Sequence, residues 1–431
     1  MTDWFVLVES NTTGSGRLFA RAARELGLRP VLLARDPGRY PYVELDALDF
    51  RVVDTADAGA VRAACAGLGG RIAGVTSSSE YFVATAAEVA RALGLAHPDP
   101  DAVRACRDKP TQRRTLRDHG VPGPLFAEAR TPDAAVAAAE PIGYPVVVKP
   151  VAGSGSIGVR LCSTPDEVRA AAADVLGALP GLPPQEGVLV EEYLDGPEYS
   201  VETLDEQVVG VTRKHLGPRP YFVETGHDFP APVGGPLTTS LGEAALTALR
   251  ALGLGWGPAH VELRHTRRGP CVVEVNPRLA GGMIPRVVAE SCGVDMIAHV
   301  VRRAAGVAGE LVSGPVRPAS IRFLVAPRGG ELLGVDGVEA ARAVPGVVEV
   351  AVLREPGELV LRNSFQDRLG YVIATGEVGG SAARAAEAGL RELGAWITAA
   401  PAPSVGGPGS GGDPAAPADA GAGSPGARVA P

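Results

Sequence analysis

Lysine is nearly missing from this chain of 431 residues. Of its 41 basic residues only three are lysines, Lys109, Lys149 and Lys214, and all the others are arginines. A lysine ammonium is a compact point charge that contacts a phosphate differently from the planar arginine fork. Because the chain uses arginine for general positive charge, we predict functional roles for the three lysines; for Lys214 an ordinary surface position is the alternative.

Excess positive charge, long apolar runs and paired cysteines are lacking as well. The net charge of −8 and an isoelectric point near 5.5 argue against a nucleic-acid partner, which would need a basic face. No uninterrupted apolar run is long enough to span a bilayer, and Phe5 to Val8 is typical of a strand and not of a cleavable signal. The five cysteines are scattered without Cys-x-x-Cys spacing, which indicates a reducing, cytoplasmic compartment and no structural zinc.

The length of the chain predicts several domains, because 431 residues are too many for one compact core. Strand, loop and helix patterns alternate over the first 100 residues, which predicts a small doubly wound domain. Its first turn, Asn11 to Gly16, lacks the Gly-x-Gly-x-x-Gly spacing of a dinucleotide site, and Ser77 to Glu80 could cap a helix. From Pro401 onward alanine, proline, glycine and serine dominate, so we predict a disordered tail.

Two short segments with alternating apolar and charged residues predict a β-hairpin around Glu262 and Glu274. A three-residue loop, Arg267 to Gly269, would bring these two carboxylates opposite each other and place Asn276 on the same face. Such hard oxygen ligands suit Mg²⁺, which binds through one or two carboxylates together with substrate phosphates. Arg278 could hold an anion beside the metal. The alternative is an exposed hairpin whose charges face water.

A glycine-rich segment follows a predicted strand that ends in Lys149. In Gly153-Ser154-Gly155-Ser156-Ile157-Gly158-Val159 the glycines permit positive φ and let backbone N–H groups approach phosphate oxygens. It is not a Walker loop, because no Gly-Lys-Ser/Thr follows. Further along, the crossover Glu191-Glu192-Tyr193-Leu194 and the nearby Glu198 could bind adenine and ribose, or could be a merely charged loop.

The hairpin sequence, Val-Glu-Leu followed by Val-Glu-Val-Asn-Pro-Arg, resembles the metal-binding hairpin of the ATP-grasp superfamily. The extension Leu279 to Pro285 resembles its L-amino-acid ligase branch, the dipeptide-forming carboxylate–amine ligases, and so do Glu-Thr-Gly-His at 224–227 and two segments near the C-terminus. The resemblance implies an α/β fold in which two α+β lobes grip ATP, preceded by the Rossmann-like domain and followed by an α/β C-terminal domain. The expected boundaries are 1–100 for the N-terminal domain, 101–187 for the N-lobe with its glycine-rich lid, 188–315 for the C-lobe with the metal hairpin, 316–400 for the C-terminal domain and 401–431 for the tail.

The resemblance also implies a site. The residues expected to bind ATP are Lys109, Lys149, Gly153, Ser154, Gly155, Ser156, Gly158, Glu191, Glu192, Tyr193, Leu194, Glu198 and Lys214. Two Mg²⁺ ions, for which Mn²⁺ could substitute, are expected on Glu262, Glu274 and Asn276. The substrate side is expected to comprise Glu224, Gly226, His227, Arg278, Gly281 and Gly282, with Arg278 and His227 as the catalytic residues.

The implied reaction joins an amino-acid-like carboxylate to an amine through an acyl phosphate and releases ADP and phosphate. No serine or cysteine nucleophile is needed for it. Three alternatives stay open: a small-molecule carboxylate kinase, a biotin-carboxylase-like or purine-pathway ligase, and a non-catalytic ATP-binding module. The expected partners are the two small substrates, with neither nucleic acid nor membrane, and the chain could form a homodimer.

Overall fold

The computed structural model describes residues 3–11, 15–177, 184–307, 313–398 and 427–429, together with Leu179, Leu182, Gly309 and Leu311. The centre of the first glycine-rich turn, 12–14, and most of the predicted tail, 401–426 and 430–431, lie outside the described residues. Within them, no helix is long and apolar enough to cross a membrane.

The N-terminal sheet has four parallel strands in the order β3-β2-β1-β4. A parallel sheet that is covered on both faces needs apolar side chains on both sides of its strands. In β1, Phe5 and Leu7 belong to one hydrophobic core, and Val6 and Val8 belong to another. The elements are β1 (Asp3–Val8), α1 (Ser15–Glu25), β2 (Arg29–Ala34), α2 (Tyr42–Leu45), β3 (Asp49–Val52), α3 (Ala58–Ala66), β4 (Arg71–Thr76) and α4 (Val83–Ala92).

A second sheet is antiparallel and has the order β5-β8-β6-β7. The two helices that lead into it meet at Asp108, whose carboxylate accepts a hydrogen bond from the N–H of Thr111 and so caps the second helix. This cap makes Lys109 the first residue of that helix. The elements are α5 (Pro100–Arg107), α6 (Lys109–Asp118), β5 (Phe126–Ala129), α7 (Pro132–Ile142), β6 (Val146–Pro150), β7 (Arg160–Cys162), α8 (Pro165–Leu176) and β8 (Val188–Glu192).

The largest sheet is antiparallel, has eight strands and runs β13-β12-β9-β10-β11-β14-β18-β16. Its strands β11 and β14 are hydrogen-bonded neighbours, so the sheet continues across the predicted boundary at 315/316. Its elements are β9 (Glu198–Leu204), β10 (Gln207–Leu216), β11 (Glu224–Phe229), α9 (Gly235–Ala251), β12 (Pro258–Thr266), β13 (Gly269–Asn276), α10 (Ile284–Cys292), α11 (Met296–Ala304), β14 (Ala319–Val325), β16 (Val347–Val352), β18 (Arg368–Thr375) and α13 (Ser381–Glu392).

The remaining sheet has the order β17-β15-β19-β20. Its strands are β15 (Gly330–Asp336), β17 (Gly357–Leu359), β19 (Gly394–Thr398) and β20 (Ala427–Val429), with helix α12 (Val338–Arg342) after β15. Strand β20 pairs with β19, and Arg428 forms an ion pair with Asp336 at 3.1 Å. The prediction of a disordered tail is therefore wrong for Ala427–Val429.

The β12–β13 hairpin has a shorter turn than the sequence predicted. Thr266 pairs with Gly269, so two residues connect the strands instead of three. Glu262 nevertheless pairs with Glu274, because a β-bulge shifts the register by one residue between the turn and these two carboxylates. The predicted pairing of the carboxylates is confirmed, although the predicted loop is wrong.

Candidate active site

The three lysines line one cleft between the β5-β8-β6-β7 sheet and the eight-stranded sheet, and the space in and above it, open solvent included, is about 960 Å³. Lys109 is 6% exposed and Lys149 and Lys214 are each 4% exposed, so Lys214 is not a surface residue. The predicted residues that line the cleft are Lys109, Lys149, Gly153, Ser154, Gly155, Ser156, Glu191, Glu192, Tyr193, Leu194, Glu198, Lys214, Glu224, Glu262, Glu274, Asn276 and Arg278. The predicted residues Gly158, Gly226, His227, Gly281 and Gly282 are not among its lining residues.

Lys214 lies at the centre of a buried cluster of charges. Its Nζ is 2.9 Å from Glu198, 2.8 Å from Glu224 and 3.1 Å from Glu262. Burial alone would lower the pKa of Lys214, but the three carboxylates hold it well above its usual value. Burial would likewise raise the pKa of Glu224 and of Glu262, and the ammonium outweighs it, so both carboxyls titrate below their usual range.

Each of these three carboxylates has a second cationic or imidazole partner. The contacts are Arg264 to Glu198 at 2.8 Å, Arg368 to Glu224 at 2.9 Å and His260 to Glu262 at 3.1 Å. Such pairing is needed because buried like charges repel unless counter-charges separate them. The cluster is therefore a neutralised network and not a set of free acids.

The Glu191–Leu194 crossover is held by arginines. The Arg264 guanidinium donates to the carbonyl of Leu194 at 3.1 Å and to the hydroxyl of Tyr193 at 3.0 Å. Glu192 forms an exposed ion pair with Arg268 at 2.8 Å. The carbonyl of Leu194, one of the residues expected to bind ATP, thus already accepts a hydrogen bond from the protein.

Lys149 and Glu191 form a buried pair at 2.5 Å. Arg113 completes the group, with its Nε 2.6 Å from the other oxygen of Glu191. Burial, with the charge of Arg113 nearby, lowers the pKa of Lys149 to about 8. Burial would raise the pKa of Glu191, but the two cations hold it below its usual value. Glu191 therefore lies between Lys149, which lines the cleft, and Arg113, which is buried and does not line it.

The hairpin carboxylates fit the expected metal. Glu262 and Glu274 are directly opposed, and Asn276 and Glu274 are two residues apart on one strand, so all three side chains share a face. Among the described residues, no group of three or more His, Cys, Asp and Glu side chains could hold a metal. Two carboxylates with an amide oxygen instead suit Mg²⁺, which completes its coordination with substrate phosphates and water. Lys109 meets Glu274 at 3.1 Å and also donates to the carbonyl of Gly153 at 2.8 Å.

A buried chain of side chains supports Glu262 from behind. His260 contacts Glu262 through Nε2 at 3.1 Å and Glu202 through Nδ1 at 3.0 Å. Glu202 is fully buried and accepts a hydrogen bond from Ser200 at 2.7 Å. Carboxylate–histidine pairs of this kind orient metal ligands in other sites.

The glycine-rich segment adopts the conformations that its composition allows. Gly153, Gly155 and Gly158 have φ of 142°, 67° and 74°, and Ser156 has φ of 62°. A Cβ on Gly158 would lie 3.2 Å from Leu179, so this glycine packs against the apolar side of the loop. Gly158 therefore supports the segment and does not line the cleft.

Arg278 joins the N-terminal domain to the hairpin. Its Nε is 2.6 Å from a carboxylate oxygen of Glu80. Burial would raise the pKa of Glu80, but Arg278 holds it below its usual value. The sequence allows Ser77 to Glu80 to cap a helix, but helix α4 has no side-chain cap, and Glu80 contacts Arg278 instead.

His227 lies opposite Lys214 in the β10–β11 register, so its side chain is on the cleft face of the sheet. It is fully buried, and neither ring nitrogen has a hydrogen-bond partner among the described residues. Gly282 packs directly on the imidazole, because a Cβ built there would lie 2.6 Å from Nε2. Burial lowers the pKa of His227 to about 3, so the ring is neutral at pH 7. His227 does not line the cleft, and its nearest acid is Glu224 at 3.5 Å, so its catalytic role stays a prediction.

Sequence reasoning missed several charged residues around the cleft. Arg264 lines the cleft, and the others contact lining residues directly or, for Glu202, through His260; these others are Glu80, Arg113, Glu202, His260 and Arg368. The arginines carry no local signal, because arginine is the chain's general cation. Only His260 had a local signal: it lies two residues before Glu262 in the same strand, so the two side chains share a face.

Two family models match the chain. Residues 142–286 match the ATP-grasp domain and residues 322–394 match the L-amino acid ligase C-terminal domain 2. The uncharacterized protein y4rH of Sinorhizobium fredii is 40% identical over 372 residues, which cover 86% of this chain and 78% of that protein. Human carnosine synthase 1 is 27% identical over 70% of this chain, which spans only 39% of that longer protein.

A solved structure of an L-amino acid ligase from Bacillus licheniformis has the same fold. It superposes with a TM-score of 0.75 at 23% identity and covers 91% of this chain and 98% of its own. The chain thus has the fold of that structure, an ATP-grasp domain and a C-terminal domain of the L-amino acid ligase type. The chain belongs to the ATP-grasp superfamily, in its L-amino acid ligase branch, and the expected fold class is confirmed.

The scarcity of lysine leads to a first prediction. Lys149→Arg should lower kcat/KM by about tenfold or more, which corresponds to about 1.4 kcal/mol. The planar guanidinium is bulkier than the ammonium that now lies 2.5 Å from Glu191 in a buried position. Steady-state kinetics with varied ATP would measure this. Arg71→Lys, at an exposed ion pair, is the matched control and should be neutral. Unchanged kinetics in Lys149→Arg would show that this lysine is incidental.

The hairpin leads to a second prediction. Glu274→Gln should reduce turnover by orders of magnitude and weaken Mn²⁺ binding, because the change removes a carboxylate charge while preserving shape. Mn²⁺ affinity measured by electron paramagnetic resonance provides a readout that is independent of activity. Glu339→Gln, at a side chain that is 85% exposed, is the control. Normal Mn²⁺ affinity and turnover in Glu274→Gln would contradict the metal assignment.

Proposed function

We propose that this protein is an ATP-dependent ligase that joins an amino-acid-like carboxylate to an amine through an acyl phosphate. The observation that carries the proposal is the convergence, on one cleft, of all three lysines, the carboxylate pair of the hairpin and Arg278. Phosphoryl transfer relies mainly on positioning and charge neutralisation, and this collection of charges suits that task.

In the proposed reaction, a carboxylate oxygen of the acid attacks the γ-phosphorus of ATP, and the bond from that phosphorus to ADP breaks. The amine nitrogen then attacks the acyl carbon, loses a proton, and phosphate departs. Lys109, Lys149 and the glycine-rich segment bind the phosphates. Mg²⁺ held by the hairpin carboxylates and Asn276 would supply charge neutralisation to the same phosphates.

The substrate side is assigned to the region around Arg278 and Glu224. Arg278 neutralises the transferred phosphoryl group, since it lines the cleft next to Asn276. Glu224 lines the cleft between Lys214 and Arg368, where it can hold the amino group of an amino-acid substrate. His227, buried 3.5 Å from Glu224, acts as a positioning residue for that carboxylate.

The family matches bear on the alternatives. The L-amino acid ligase type of C-terminal domain favours amino-acid substrates over those of biotin-carboxylase-like or purine-pathway ligases. A carboxylate kinase would use the same ATP site, so only product analysis separates it from a ligase. The number of metal ions, Mn²⁺ as a substitute, a homodimer and a cytoplasmic location stay predictions.

Product analysis tests the reaction itself. Incubation with ATP, Mg²⁺ and pairs of amino acids should give ADP, phosphate and a dipeptide in equal amounts, detected by mass spectrometry and a phosphate assay. AMP and pyrophosphate would disprove attack at the γ-phosphorus. A stable phosphorylated acid, with no amide for any amine tested, would favour the kinase.

Substitutions on the substrate side should separate acid binding from nucleotide binding. Arg278→Ala should abolish most amide formation, and His227→Ala should raise KM for the acid more than it lowers kcat. Calorimetry should show little change in nucleotide affinity for either. His119→Ala and Arg71→Ala, at exposed positions, are the matched controls. If nucleotide affinity fell in step with activity, these residues would belong to the nucleotide site instead.

A further inference from the structure

A tight turn in the C-terminal region reaches the glycine-rich segment. Ser364 and Asp367 cap a short 3-10 helix, Phe365–Asp367, through reciprocal side-chain to backbone hydrogen bonds. The Asp367 carboxylate also accepts a hydrogen bond from the N–H of Arg362 at 2.9 Å and is almost fully buried. The turn Ser364–Arg368, here named the clamp turn, is thus a fixed structure, and the side chains it presents have defined positions.

Phe365 is the residue of the clamp turn that contacts the glycine-rich segment Gly153 to Val159, here called the lid. A Cβ built on Gly155 would overlap the Phe365 ring, so the ring lies directly against the backbone of that glycine. The N–H of Phe365 also points at the carbonyl of Gly155 at 3.4 Å. Phe365 is 36% exposed and lies outside the hydrophobic core of its own region. Its packing is therefore directed at the lid and not at the interior of the C-terminal region.

The other end of the clamp turn contacts the opposite side of the cleft. Arg368 donates to the backbone carbonyl of Glu224 at 3.1 Å and to its carboxylate at 2.9 Å. Its guanidinium lies 3.7 Å from the ring centroid of Phe323, which fixes its orientation. Through Phe365 and Arg368, the clamp turn thus connects the phosphate-binding segment with the carboxylate of Glu224 on the substrate side.

We propose that the clamp turn holds the glycine-rich lid in place over the cleft, with Phe365 as the positioning residue. A segment with three glycines in seven residues loses much conformational entropy when it becomes ordered. The contact between the Phe365 ring and Gly155 already restricts the lid before nucleotide binds. Less conformational entropy is therefore lost on binding. A closed lid also keeps water away from a reactive acyl phosphate. This inference rests on the proposed nucleotide site, but not on the identity of the product.

The test compares Phe365→Ala with wild type in three measurements. Amide hydrogen exchange of residues 152–159 should become faster, and affinity for a non-hydrolysable ATP analogue should fall about tenfold. ATP hydrolysis without amide formation should rise as a share of turnover. Phe365→Leu, which keeps an apolar contact, should recover most of the loss. Leu353→Ala, at an exposed apolar residue of the same region, should behave like wild type.

The same contact can be tested from the lid. Gly155→Ala should weaken nucleotide binding, both because φ is 67° and because its methyl group overlaps the ring. In the Gly155→Ala/Phe365→Ala double variant the new methyl group no longer overlaps a ring, and only the cost of the positive φ remains. The losses of nucleotide affinity in the two single variants should therefore not add. Additive effects, or unchanged lid exchange and nucleotide affinity in Phe365→Ala, would overturn the inference. Wild type that fails to bind ATP would instead overturn the proposed function. If Phe365→Ala does not fold, the same comparison uses Phe365→Leu: Gly155→Ala should cost less nucleotide affinity beside the smaller leucine than beside phenylalanine, and an equal cost would overturn the inference.

Discussion

The buried ammonium of Lys214 allows three carboxylates to lie close together in the interior of the protein. Without the ammonium, Glu198, Glu224 and Glu262 would repel one another and lose solvation, and protonation or separation would follow. Each carboxylate also contacts a second partner, which is Arg264, Arg368 or His260. The negative charge of the cluster is therefore balanced by Lys214 at its centre and by these side chains around it. Ribose, substrate and metal functions are all proposed for this one network, so a change at Lys214 should affect the three together.

The cluster also explains which parts of the site the sequence could predict. Strand alternation and cross-strand pairing set the face that carries Glu262 and Glu274. The two carboxylates pair as predicted although the turn is one residue shorter, because a β-bulge restores the register. The glycine segment was predictable because its backbone conformations demand its composition. Both signals are local, and both depend on backbone geometry.

The missed residues depend on contacts between distant segments. Arg368 lies 144 residues from Glu224, and Glu80 lies 198 residues from Arg278. No periodicity within a strand or helix encodes such pairs. The burial of His227 could not be predicted either, because Gly282, which covers its ring, belongs to a separate segment. Contacts between segments that are far apart in the sequence could therefore not be predicted from local patterns, although strands and helices could.

The charges of the cleft also make nucleotide binding a competition. Lys109 and Lys149, the cations proposed to bind the nucleotide phosphates, each already contact a carboxylate, Glu274 and Glu191 respectively. A phosphate must therefore share or displace a carboxylate, and a displaced buried carboxylate is costly unless another cation compensates it. Glu274 is one of the proposed metal ligands, so it would exchange Lys109 for a divalent cation and leave the ammonium to the phosphates. Nucleotide and metal should accordingly strengthen each other's binding, since linkage between two sites is reciprocal.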